Sequence, residues 1–507
     1  MKKTLFIKNA LILTVSSLVL RFAGIIFKVW LASLIGSEGI GLYQLIFSVY
    51  MLVSTFASSG ISTAVTRLIA EEAALGSKKG CVRILRRAVE LTLIIAVLTL
   101  LAVFFGAEFI ATEFLGDIRA VKALKILPFS LPFMGVSSCL RGYFIARRKA
   151  EPSAVAQITE QAVRIFAVVL LVKAFLSKGL EIACAAVMFG DFISEAIGLA
   201  VLYFSYLADK RKLNTLGGRA DAPKGTLRRI LHIAAPITSG RYLNTALRTA
   251  ENLLVPKNLA KFPATGSTAL SQFGMIKGMA LPILFFPSAI LGSVSTLLIP
   301  EMSEAAAKER FSVVRSTTER IIKLTAVIGF IFSAVFFVGG EEIGNLIYGE
   351  ESVGFLLKAL APIVPLMYLD SISDGILKGL DQQGFTFKNS VFDSAIRIIL
   401  ILIILPKSGL NGFLGIMYFS NFLTCFLNVG RLIKVSRAKL KTAQDILLPL
   451  ISAFCISLLA DTFLRIIPLK FELVYIILLC LICLPLYILM LFLFGTFKKD
   501  EIKGFLK

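Results

Sequence analysis

Histidine, charge and long hydrophilic stretches are what this sequence has least of. A single histidine, His232, stands among 507 residues; it opens the seventh apolar stretch and reads as an interfacial side chain. The seven cysteines are scattered singly, apart from Cys480 and Cys483. One CxxC inside an apolar helix, with no second pair, is packing and not a metal site. Charged residues make up 17% of the chain and hydrophobic ones 57%, and the mean hydropathy is +0.84. A soluble domain has about 25% charged and 45–50% apolar residues, so an ordinary water-soluble fold is excluded. No hydrophilic break exceeds roughly 25 residues. That leaves no room for a soluble catalytic domain, and no catalytic residue, cofactor or metal is expected. The first apolar stretch is longer than a signal-peptide core and lacks a small-x-small cleavage site, so it reads as a retained first span.

What the chain does have is a series of apolar stretches of bilayer-crossing length, about 20 residues each. Fourteen are predicted, near 9–34, 41–70, 88–112, 121–146, 154–177, 180–207, 229–256, 268–299, 320–347, 354–380, 387–405, 409–433, 445–467 and 471–495. The breaks between them alternate in charge. Basic ones hold Lys78, Lys79, Arg83, Arg86 and Arg87, then Arg147, Arg148 and Lys149, then the run from Lys210 to Arg229. The intervening ones are poor in cations or acidic, as at Glu108, Glu113 and Asp117. This positive-inside pattern predicts a multi-pass protein of the cytoplasmic membrane with both termini in the cytoplasm. It also accounts for the net charge of +22 without a nucleic-acid partner, since the basic breaks face anionic membrane lipids.

The two halves repeat. Leu131-Pro132-Phe133-Met134 returns as Val364-Pro365-Leu366-Met367, Gly142 as Gly375, and Glu160-x-x-x-Arg164-Ile165 as Asp393-x-x-x-Arg397-Ile398, all at an offset of 233. Six spans separate the copies. An even number preserves orientation, so the repeat is parallel. The predicted fold class is an all-α polytopic membrane protein of 14 transmembrane helices. Two six-helix lobes occupy about 1–215 and 225–440, and two further helices lie within 445–497.

The charges inside the spans are the candidate functional residues. Arg21 and Lys28 lie in the first span, seven residues apart; Arg241 and Arg248 repeat that spacing in the seventh, at an offset of 220. Seven residues fall ~20° short of two turns and ~10 Å along the axis, so each pair shares one helix face. A charge facing lipid costs at least ~2.5–3.5 kcal/mol, which favours a wet interior cavity. The alternative is that they snorkel to an interface, or that Arg248 pairs with Glu251 at i+3. A cationic cavity suits an anionic substrate, for which arginine supplies a flat fork of donors and lysine a point charge. Arg164 and Arg397 extend the candidate substrate-binding set, although the acid four residues before each makes an intrahelical ion pair the competing account. Asp370 and Asp374, on one face of the tenth span with Lys378, and Glu251 are candidate ion-coupling carboxylates, with capping and pairing near the cytoplasmic end as the competing account of the two aspartates. Glu195 and Lys277 are isolated charges; Arg67 and Arg141 read as topology anchors near cytoplasmic ends.

Three further stretches carry a family resemblance. Leu20-Arg21-Phe22-Ala23-Gly24, Gly36-Ser37-Glu38-Gly39-Ile40-Gly41-Leu42-Tyr43-Gln44 and Gly60-Ile61-Ser62-Thr63-Ala64-Val65-Thr66-Arg67 resemble the polysaccharide-type flippases of the multidrug/oligosaccharidyl-lipid/polysaccharide exporter superfamily. Within it the resemblance is strongest to the group of stage V sporulation protein B and related lipid-linked precursor flippases. The resemblance covers nearly the whole chain, including the 6 + 6 + 2 plan. It implies two lobes with alternating access to a central cavity, and a substrate that is a lipid-linked, polyprenyl-pyrophosphate sugar or peptidoglycan precursor. It also implies a groove for the lipid tail along spans thirteen and fourteen. A drug/cation antiporter of the same superfamily is the alternative, but it would favour acids where this chain has Arg21 and Lys28. A non-transporting sporulation membrane protein is a further alternative.

Overall fold

A segment in lipid must satisfy its own backbone N–H and C=O groups, and a helix does so internally. The computed structural model describes residues 2–58, 60–212, 225–262, 266–466 and 472–496, and every regular element among them is helical. Ten of these helical stretches are long and apolar enough to cross a membrane, which makes this a multi-pass membrane protein. The principal helices are α1 (Lys2–Ser58), α2 (Ile61–Ala74), α3 (Lys78–Phe105), α4 (Leu131–Ala146), α5 (Glu151–Phe175), α6 (Leu180–Lys212), α7 (Thr226–Leu259), α8 (Gly266–Gly274), α9 (Ser288–Ala307), α10 (Phe311–Tyr348), α11 (Glu351–Leu360), α12 (Val364–Gly379), α13 (Gln383–Ser436), α14 (Leu448–Ile466) and α15 (Glu472–Leu493).

Glycine and proline set the breaks. α1 and α13 run to 57 and 54 residues, but each contains one non-helical glycine, Gly36 (φ 68°, ψ 179°) and Gly409 (φ 53°, ψ −136°). Only glycine takes such backbone without strain. Gly409 is the repeat counterpart of Gly179 (φ 101°), which separates α5 from α6. The predicted spans 121–146 and 354–380 are each interrupted by a 3-10 turn, Leu127–Ser130 and Ala361–Ile363, that opens on a proline. Proline lacks the N–H an α-helix would use there. The predicted span 268–299 is likewise broken, into α8, a π-helical Met275–Ala280, a short Leu281–Phe285 and α9.

The chain divides into two compact units, Met1–Lys257 and Asn258–Lys507. The repeat boundary predicted between 215 and 225 therefore differs from the packing boundary by one helix, α7. The physical reason is a set of contacts that run antiparallel along α1 and α2. Thr249 Oγ1 donates to the carbonyl of Ser48 at 3.1 Å, and Asn252 Nδ2 to Ser48 Oγ at 3.0 Å. Thr245 and Thr55 share a hydroxyl contact at 3.4 Å, and Arg229 donates to Glu71 at 2.8 Å. Ile230 and Ala234 of α7 complete the apolar core built by Ile61, Ile69, Ile84, Leu140 and Phe144. The segment 213–224, which holds the predicted break between the lobes, lies outside the described residues.

In the second unit α10 is central, packed by α11, α12, α14 and α15. Tyr487 of α15 donates its hydroxyl to the carbonyls of Val327 in α10, at 3.2 Å, and Pro449 in α14, at 3.3 Å. The outer faces of α14 and α15 carry exposed Phe454, Leu458, Leu459, Phe463, Leu481 and Leu489.

Candidate substrate and ion-binding residues

The first-span cations fall where the helix has no breaker: Leu11–Leu34 contains no proline, and Gly24 is tolerated within it. Arg21 is exposed and Lys28 half-buried; on α7, Arg241 and Arg248 are exposed and Glu251 is buried. All four cations belong to Met1–Lys257.

Arg164 has more partners than its spacing predicts. On α5 it lies 3.3 Å from Glu160, as the i,i+4 spacing requires. Across the helix interface it reaches Asp191 at 2.8 Å and Glu195 at 3.7 Å, both on α6. The other oxygen of Glu160 accepts from Arg141 of α4 at 2.6 Å. Five charged side chains from three helices thus form one cluster, in which Asp191 and Glu195 are buried and Arg141, Glu160 and Arg164 are half-buried. Gly190 and Gly198 of α6 make room for it: a Cβ at Gly198 would lie 3.1 Å from Glu160 Oε2, and one at Gly190 2.5 Å from Val168. Small residues allow this close approach of helices in lipid. Glu195 is therefore not isolated, and Arg141 is an ion-pair partner within the cluster, not a free anchor. Arg67 remains at the surface, 3.2 Å from Glu71.

The equivalent region of the second unit is less charged. Arg397 pairs with Asp393 at 2.9 Å, and Asp393 accepts from Ser420 at 2.6 Å. Asp370 accepts from Asn428 at 2.7 Å, and Asn428 accepts from Asn389 at 2.9 Å. Asp374 pairs with Lys378 at 2.5 Å, so the two carboxylates of α12 have different partners. Lys277, in the π-helical segment, lies 5.9 Å from the ring centroid of Phe413.

Sequence reasoning missed Asp191, Asn389 and Asn428. A signal for Asp191 exists: Phe189-Gly190-Asp191-Phe192 returns as Phe419-Ser420-Asn421-Phe422, at the offset of 230 shared by Gly179 and Gly409. That echo marks a face, and Glu195 is one turn further on.

Similarities to known proteins agree with this architecture. The chain is 28% identical over 416 residues to stage V sporulation protein B of Bacillus subtilis (strain 168), covering 81% of this chain and 80% of that protein. Its fold matches the lipid II flippase MurJ in an inward closed conformation, with a TM-score of 0.72, 15% identity and coverage of 96% of this chain and 99% of that one. It also matches an inward-facing multidrug resistance MATE transporter of the MOP superfamily, with a TM-score of 0.62, 12% identity and coverage of 84% and 99%. The family model described as polysaccharide biosynthesis protein matches residues 6–306, more than half of the chain. The protein is thus a member of the polysaccharide biosynthesis protein family, with the fold of the multidrug/oligosaccharidyl-lipid/polysaccharide transporters.

Proposed function

We propose that this protein is a flippase that moves a lipid-linked, polyprenyl-pyrophosphate cell-wall sugar or peptidoglycan precursor across the cytoplasmic membrane by alternating access. The observation that carries the proposal is the pair of matched cationic stripes, Arg21 with Lys28 and Arg241 with Arg248, in a fold like that of a lipid II flippase. Exposed guanidinium groups at bilayer depth need an anion or water, and a pyrophosphate supplies the anion. Arg21 and Arg241 hold the head group in this reading, with Lys28 and Arg248 beside them. The exposed apolar faces of α14 and α15 provide the surface for the polyprenyl tail. Fourteen crossings, in two six-helix repeats and a C-terminal pair, with both termini cytoplasmic, complete the proposal. α1 and α13 each count as two crossings. Arg164 lies within an ion cluster, so head-group binding falls to the α1 and α7 cations.

The test is leaflet-resolved flipping of defined lipid-linked precursors by the full-length protein in vesicles. A charge-assisted contact to phosphate is worth roughly 1.5–3 kcal/mol. Arg21→Ala and Arg241→Ala are each expected to weaken binding about ten- to a hundred-fold at matched protein level. Arg21→Lys, which keeps the charge and loses the fork, is expected to be impaired less. Wild-type flipping in both alanine variants overturns the reading.

A further inference from the structure

We infer that Glu195 is a proton site, its carboxyl group taking up one proton at the centre of the α4–α5–α6 cluster. The argument starts from a count of charges. Arg141 and Arg164 bring two positive charges; Glu160, Asp191 and Glu195 bring three negative ones. Asp191 and Glu195 are only 6% and 4% exposed. An uncompensated charge in such a place is costly, and one proton makes the cluster neutral.

Distances choose the carboxyl. Glu160 engages both guanidinium groups, and Asp191 lies 2.8 Å from Arg164. Glu195 is the most distant acid, at 3.7 Å, and its Oε2 is buried without a hydrogen-bond partner. Protonation forms an O–H bond there while hydronium becomes water, and no electrons are exchanged. A metal ion fits less well, because among the described residues no three acidic side chains converge as metal ligands.

The titratable groups within electrostatic reach of Glu195 are Arg141 from α4, Glu160 and Arg164 from α5, Asp191 from its own helix, and Tyr50 from α1. Tyr43 of α1 is within the same reach of Asp191. The cations of the segment before α4 are engaged elsewhere: Lys122 with Glu181 at 3.5 Å, and Arg119 with Asp117 and Glu38. The two buried acids of α6 are not repeated in the second unit, where Asn421 and Cys425 stand at the repeat counterparts of Asp191 and Glu195. Glu195 lies midway along the Leu180–Lys210 span, so a proton held there is at the depth where it can couple to transport. That coupling rests on the flippase reading; the proton site does not.

Infrared spectroscopy of the full-length protein in lipid bilayers tests the site directly. A deuterium-sensitive protonated-carboxyl band is expected at neutral pH, lost in Glu195→Gln and retained in Asp374→Asn. Identical spectra for wild type and Glu195→Gln overturn the proposal. A second readout is stability: Glu195→Gln mimics the neutral acid and should melt within a few degrees of wild type, whereas Asp191→Asn should melt clearly lower. Equal losses in the two variants would identify Glu195 as a charged partner and also overturn the proposal. In vesicles, flipping by wild type should depend on a pH gradient and that dependence should vanish in Glu195→Gln. Gradient-independent flipping with the band intact removes the coupling and keeps the site. Failure to flip any lipid, with the band intact, is instead a failure of the flippase reading.

Discussion

Arg164 is the residue on which most charge converges, and its loss has a calculable direction. Arg164→Ala leaves Glu160, Asp191 and Glu195 with only Arg141 near them, and stranding a buried charge costs about 3–5 kcal/mol. The expected result is a marked fall in the amount of protein in the membrane, read by quantitative blotting. Exchanging Glu160 and Arg164 tests the cluster against a simple pair. A two-residue pair would survive the exchange, but here it would place a carboxylate against Asp191 and Glu195, so protein level should not recover. The spacing of Glu160 and Arg164 was legible in the sequence because i,i+4 contacts are fixed by one helix. Asp191 and Arg141 were not, because their pairing depends on how α4, α5 and α6 pack. The seven-residue stripes were legible for the same local reason, but their exposure was not: Arg21, Arg241 and Arg248 are exposed and Lys28 is half-buried.

Among the helical elements, glycine at positive φ decides where long helices change direction. Gly36 has nothing within 4 Å of the position a Cβ would occupy, and its φ of 68° is paired with an extended ψ of 179°. Gly36→Ala therefore isolates backbone strain from side-chain collision, at a cost of roughly 1–3 kcal/mol. A lowered melting temperature with unchanged helix content by circular dichroism is the expected outcome; an unchanged melting temperature would show that the chain relaxes out of this conformation. At Gly409 the cost should be larger, since an added Cβ would also meet Phe262 at 2.8 Å. The helices themselves could be read from apolar run length. The internal 3-10 turns could have been read from Pro128 and Pro362, but the π-helical Met275–Ala280 has no comparable sequence signature.

On the scale of the whole molecule, orientation is the cheapest prediction to check. A cysteine introduced at Gly217, in the basic break beyond the described residues, should be labelled from the cytoplasmic side only; labelling from outside intact cells would reverse the proposed topology. The repeat was legible in the sequence because both copies retain Pro132 and Pro365, Gly142 and Gly375, and the acid–arginine pairs. The packing boundary at Lys257 was not, because similarity between copies records correspondence and not contact. That boundary has a consequence for biosynthesis. A chain emerging at about 5–20 residues per second needs roughly 2–8 s to add residues 216–257. Until then Ser48, Thr55 and Glu71 lack the α7 partners they have in the finished fold. The first unit is thus completed only once α7 has been made. A fragment ending at residue 215 should be degraded faster than one ending at 257, as pulse-chase labelling would measure.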